Sequence, residues 1–182
     1  MTEKCILDLI RGDDWMMSIL REVAALNLPD WAVGAGFVRG KAWDCLHDFK
    51  ERTPLPDIDV LYFNPTEKIE GREIEAKLGQ RFPGLAWEAV NQATAHIYND
   101  EDPYRNTEDA VSKWPETATA VAVTMDSDGG LKLIAPHGVK DLVEMKVRPT
   151  PAWEQKLDKY KKRAEKKAWD KKWPKVKVWL PE

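Results

Sequence analysis

Apolar positions recur at helical spacing through residues 3–27, where Ile6, Leu9, Ile10, Met16, Met17, Leu20, Val23 and Ala24 predict one helix, or two joined near Gly12-Asp13. Pro29 ends that stretch, and Trp31-Ala32-Val33 reads as a short strand entering the small-residue turn Gly34-Ala35-Gly36. Val38, Ala42, Trp43 and Leu46 then return to helical spacing, so the unit is strand, turn, helix. A polar loop with Pro54 and Pro56 leads to an apolar strand at 57–63, and Asn64-Pro65-Thr66 before Glu67 predicts a helix reaching to about Gln80. After the turn at Pro83-Gly84, residues 85–90 read as another strand. Residues 106–113 predict a helix capped by Thr107, and 119–125 with 131–135 a hairpin around Asp126-Ser127-Asp128-Gly129-Gly130. A short helix at 137–145 precedes Pro149 and Pro151. A long helix is then expected over 152–172, stopped by Pro174, with Val176-Lys177-Val178-Trp179 alternating like an edge strand.

Strands interleaved with helices and a hairpin predict an α+β fold with α/β character: a mixed sheet flanked by helices over residues 1–150, followed at 151–182 by a basic C-terminal helix and a short edge strand. A chain of 182 residues can bury such a core without disulfides. Cys5 and Cys45 are the only cysteines and form no Cys-x-x-Cys, so neither a disulfide framework nor a thiolate zinc site is indicated. There is no signal-like N-terminus and no apolar run near the roughly 20 residues needed to cross a bilayer, so the expectation is a cytoplasmic protein with no membrane partner. The formal net charge of -3 conceals an asymmetry. Residues 153–182 carry 11 Lys+Arg against 5 Asp+Glu, whereas residues 1–152 carry 17 against 26. An acidic body can host cation-binding carboxylates, and the basic tail suits either a solvated helix or a polyanion such as RNA.

The candidate chemistry lies between Ala32 and Phe63. Asp57 and Asp59 sit two residues apart in the apolar segment Asp57-Ile58-Asp59-Val60-Leu61-Tyr62-Phe63. On a strand this spacing points both carboxylates to one face, where their oxygens can converge on one divalent ion or bridge two. The turn could place backbone N–H groups against phosphates: Gly36 permits close approach, the next helix begins there, and Arg39 adds a permanent cation. Metal ions, carboxylates that hold them and donors against phosphate are what nucleotidyl transfer needs. The three histidines, His47, His96 and His137, have no His-x-x-x-His pairing, and no serine or cysteine nucleophile motif occurs.

At these residues the chain resembles the polymerase-β-type nucleotidyltransferase superfamily. Ala35-Gly36-Phe37-Val38-Arg39-Gly40 followed by Asp57-Ile58-Asp59 is similar to the turn and Asp-x-Asp of CCA-adding enzymes, with Ala35 at the first glycine and Gly40 in place of an acidic residue. Over about residues 5–150 it looks like a small bacterial nucleotidyltransferase-like family, through Trp87-Glu88, Asn91-Gln92-Ala93, His96, Trp114-Pro115-Glu116-Thr117-Ala118-Thr119 and His137-Gly138-Val139-Lys140-Asp141-Leu142. The resemblance implies Asp57, Asp59 and Glu88 as catalytic, metal-binding carboxylates for Mg²⁺ or Mn²⁺. It implies a nucleotide-binding set of Gly34, Gly36, Arg39 and Asn91, although Asn91 also suits a sheet-end hydrogen bonder. The implied reaction moves a nucleoside monophosphate from an NTP to a hydroxyl acceptor such as RNA or protein, releasing pyrophosphate. The alternatives are a non-catalytic nucleotide- or RNA-binding module and a toxin-like transferase acting on tRNA or protein.

Overall fold

The computed structural model describes residues 1–66, 70–99 and 101–181. The N-terminal helical stretch divides into α1 (Glu3–Arg11) and α2 (Asp14–Ala25), because the Asp13 side chain accepts from the Met16 N–H and starts a new helix. Next come β1 (Ala32–Gly34), α3 (Gly36–Leu46), β2 (Ile58–Tyr62), α4 (Gly71–Arg81) and β3 (Trp87–Asn91). The expected start of α4 at Glu67 lies outside the described residues. A helix that the sequence pattern did not announce, α5 (Gln92–Asn99), follows β3 directly and leads to α6 (Thr107–Ser112). The cap of α6 is Asn106 rather than Thr107, whose hydroxyl instead donates to the Asp30 carbonyl. The hairpin forms as β4 (Ala122–Met125) and β5 (Leu131–Ile134), followed by α7 (Lys140–Val143) and β6 (Lys146–Val147).

The strands β3-β2-β1-β4-β5 form a five-stranded mixed sheet in that order, with β2 and β3 parallel and the other neighbours antiparallel. Alternation along β2 sorts its residues between the two faces. Ile58, Val60 and Tyr62 enter the main core with Val33, Val123, Phe37, Trp43 and the buried residues of α1 and α2. Leu61 lies on the other face, in a smaller cluster with Ala32, Val111, Ala122 and Ile134. Asp57 and Asp59 share the parity of Leu61, so the strand turns them away from the main core.

The basic stretch 152–172 is not one helix. A 3-10 turn at Pro151–Trp153 precedes α8 (Leu157–Lys167), and Ala168, at φ 43°, separates it from α9 (Trp169–Lys172). Tyr160 and Ala164, one helical turn apart on α8, are buried in the main core together with Trp169 and Trp173. Trp173 meets Trp43 edge to face at 5.2 Å, and its indole N–H donates to the buried Asp44 at 2.7 Å. The Tyr160 hydroxyl bonds the Val147 and Trp179 carbonyls, and β7 (Lys177–Val178) pairs in parallel with β6 as a separate two-stranded sheet.

The turn between β1 and α3 holds a strained residue. Ala35 sits at φ 49°, ψ -117°, a conformation that favours glycine. Relief of that strain outweighs the extra chain entropy of glycine, so Ala35→Gly is expected to raise the unfolding free energy by about 1 kcal/mol in urea denaturation. A variant less stable than wild type would show that the backbone there is unstrained.

Candidate active site

Two adjacent strands set the predicted carboxylates on one sheet face, with the glycine turn beside them. The β2–β3 register sets Asp59 beside Glu88, and the antiparallel β1–β2 pairing of Val33 with Val60, continued by one residue, sets Gly34 on the other side of Asp59. Asp57 immediately precedes β2 and shares the parity of Asp59. Asp59 and Glu88 open into a cleft of about 480 Å³ with Ala35 of the turn. Lys113, Trp114 and Thr119 line the same cleft ahead of β4, and Lys156, Lys159 and Arg163 line it from α8 and the residue that precedes it. The volume falls within the ~300–1,000 Å³ range of small-molecule sites.

The carboxylates are short of compensation. Burial first, and then the negative charges of Asp57 and Glu88, push the Asp59 carboxyl up to about 7, with Arg39 and Lys167 only partly opposing them. Among the described residues, no hydrogen-bond donor or ion-pair partner engages Asp57, Asp59 or Glu88. No three His, Cys, Asp or Glu side chains among the described residues are gathered into a ready ligand cage. Asp57 and Asp59 are half-buried and Glu88 is exposed, and their like charges repel, so the carboxylates are not expected to close on one another without a cation between them. The donor set itself fits a hard divalent ion: all-oxygen, anionic, on one face and otherwise unengaged.

The two glycines of the turn have different reasons. A Cβ on Gly34 would come within 2.8 Å of the Trp114 ring, so that position serves indole packing. A Cβ on Gly36 would make ordinary contacts, the nearest being Leu55 at 3.6 Å, so the protein's own packing does not require a glycine there. No side chain caps α3 at Ala35, leaving the first N–H groups of that helix without a side-chain acceptor. Arg39, one turn into α3, lies 5.3 Å from each of the Trp43 and Trp169 ring centroids and donates to the Thr119 hydroxyl at 2.9 Å. Its Nε has no partner among the described residues, and burial lowers the guanidinium to about 10 against the opposing pull of Glu116 and Asp59.

Asn91 stands three residues beyond Glu88, and its amide is engaged with the backbone: Oδ1 accepts from the Asn64 and Ala93 N–H groups, and Nδ2 donates to the Asn64 carbonyl. The histidines do not converge: His47 bonds the Trp43 carbonyl and the Lys175 N–H, His137 the Ser112 carbonyl, and His96 packs against Tyr104. Two groups escaped the sequence reading. Glu116 is fully buried and accepts from Arg163 Nε at 2.6 Å, bringing a residue of the basic tail into the cleft. Glu116 was visible inside Trp114-Pro115-Glu116-Thr117-Ala118-Thr119, but nothing local signals a partner 47 residues away.

A mixed sheet with helices on it, a small-residue turn opening a helix and carboxylates on the adjacent strands define a polymerase-β-type nucleotidyltransferase head. The sequence model of a family described as Nucleotidyltransferase matches residues 21–178, and the chain belongs to that family; it is a nucleotidyltransferase. A solution structure described as revealing a CCA-adding enzyme head domain superposes with a TM-score of 0.86 at 33% identity, covering 98% of this chain and 96% of the other. A CCA-adding enzyme in complex with CTP matches at TM-score 0.62 and 16% identity, and the Thermotoga maritima CCA-adding enzyme complexed with tRNA at 0.59 and 17%. Each of these two matches covers 98% of this chain but only 43% and 42% of the respective enzyme, so they show the shared fold alone. No curated protein matches the chain.

The raised Asp59 value carries a stability consequence. Its folded value of about 7 lies above the ordinary 3.8, so the native state holds more protons and stability falls as pH rises through that window. In chelator at pH 8, Asp59→Asn should be more stable than wild type, on the order of 2 kcal/mol after allowance for partial exposure. The gain should vanish near pH 4, as checked by denaturation across pH. A pH-independent difference would mean that Asp59 titrates normally.

Proposed function

We propose that this chain transfers a nucleoside monophosphate from an NTP to a hydroxyl acceptor, with Asp57, Asp59 and Glu88 holding a divalent cation, Mg²⁺ or Mn²⁺. The observation that carries the proposal is the set itself: three carboxylates on one sheet face, without internal partners, beside an uncapped helix start and a glycine that packing does not require. When bound, such an ion neutralises triphosphate charge and favours the ionised form of the attacking hydroxyl. The turn is poised for the phosphates: Gly36 admits close backbone approach, the first N–H groups of α3 donate, and Arg39 behind them lends positive charge. The new bond joins the acceptor oxygen to the α-phosphorus, the α–β phosphoanhydride breaks, and pyrophosphate leaves with its electron pair. A carboxylate of the site takes the hydroxyl proton. Solved structures of similar fold contain CTP, ATP or tRNA, which supports an NTP substrate and an RNA acceptor here.

Label transfer from each α-³²P-NTP to total cellular RNA or protein, with Mg²⁺ or Mn²⁺, should occur with wild type. It should fall by at least about 100-fold in Asp57→Asn/Asp59→Asn. Turnover within a few-fold of wild type in that folded variant would remove the mechanism. Gly36→Ala separates the turn from the fold: its stability should stay within about 1 kcal/mol of wild type, since the methyl has room. Its NTP affinity should drop about tenfold or more in equilibrium titration, because the methyl intrudes where a phosphate approaches. Unchanged affinity would take the turn out of phosphate binding.

A further inference from the structure

We propose that Arg163, on the C-terminal helix α8, grips the β- and γ-phosphates of the incoming nucleotide and that buried Glu116 is its positioning residue. The inference deepens the nucleotidyl-transfer reading and rests on the cleft being an NTP site.

Four cations line the cleft: Lys113, Lys156, Lys159 and Arg163. They differ in how they are held. Lys156 is committed to Glu101, at 3.0 Å, while Lys113 and Lys159 are exposed and make no ion pair among the described residues. Arg163 alone is anchored to a residue with no solvent exposure: its Nε donates to Glu116 Oε1 at 2.6 Å. Using Nε for the anchor leaves Nη1 and Nη2, which donate to no acceptor among the described residues, for a ligand in the cleft. That paired edge is the geometry that takes phosphate oxygens bidentately.

Glu116 is an expensive residue to keep. It is wholly buried, its Oε2 lacks a hydrogen-bond partner among the described residues, and its backbone is fixed by the Thr119 and Ala120 N–H groups. A carboxylate retained there holds its cation in one place rather than adding stability. The adjoining face of α8 is equally fixed, with Tyr160 and Ala164 in the core, so Arg163 projects from a rigid support. Asp59 and Glu88 line the same cleft, which puts the phosphate-gripping cation and the metal-holding carboxylates around one space.

The test is binding of ATP and of AMP to the full chain, each with Mg²⁺, by equilibrium titration of wild type, Arg163→Ala, Arg163→Lys and Glu116→Gln. Arg163→Ala should weaken ATP about 10- to 100-fold and AMP by less than threefold, collapsing the ATP/AMP ratio. Arg163→Lys should recover only part of it, and Glu116→Gln should lower the ratio about tenfold at most. A purely structural role would weaken both ligands together. An unchanged ratio in folded Arg163→Ala overturns the proposal, as does loss of binding to a single-stranded RNA oligomer with ATP unaffected, which would assign Arg163 to acceptor phosphates. Failure of wild type to bind ATP also overturns it. If the ATP/AMP ratio depends on Arg163 but no label transfer occurs, the transfer reading falls and this one stands. If transfer occurs with the ratio unmoved, the reverse holds.

Discussion

The half-buried carboxylate of Asp59 constrains everything around it. A strand flanked by Ile58 and Val60 in the core cannot move its odd-numbered residues far from the sheet, so Asp59 stays where burial and two neighbouring carboxylates oppose its ionisation. The protein answers with Arg39, itself buried between Trp43 and Trp169 and turned toward Thr119. That arrangement supplies less positive charge than the carboxylates carry. The imbalance raises the cost of ionising Asp59, and such perturbed groups cluster at functional sites.

The acidic body and basic tail acquire a joint meaning in the fold. Trp169 and Trp173 anchor the tail in the main core, Trp173 is tied to Asp44, and Tyr160 is tied to the strand backbone at Val147. With those anchors set, the start of α8 lies along the cleft and its cations face the same space as Asp59 and Glu88. The left-handed Ala168 lets the chain turn between α8 and α9, so that Tyr160 and Trp169 can both reach the core. A continuous helix over 152–172 would hold one straight stripe of residues against the body.

How far the fold was legible depended on the range of the interactions involved. The strand at 57–63, the helix after the glycine turn and the hairpin at Asp126-Ser127-Asp128-Gly129-Gly130 are set by alternation, helical spacing and turn chemistry within a few residues, and all three formed. The α5 helix was missed because Asn91-Gln92-Ala93 follows a strand without proline or glycine punctuation, and its start depends on Asn91 Oδ1 accepting from Ala93 N–H. Thr107 looked like a helix cap, but Asn106 takes that role once Asp30 is near enough to occupy the Thr107 hydroxyl.

The sequence alone determined the chemistry on offer. Two carboxylates at strand spacing, a third inside an apolar strand and a small-residue turn opening a helix follow from residue type and period, which are local properties. Only the tertiary structure decided which groups share the site. The β2–β3 register sets Asp59 beside Glu88, Trp114 explains Gly34, Ala35 bears the strained backbone, and Glu116 reaches 47 residues along the chain to hold Arg163. Those pairings depend on strand register and core packing between segments far apart in the chain, and no local pattern encodes which distant partner a buried charge will meet.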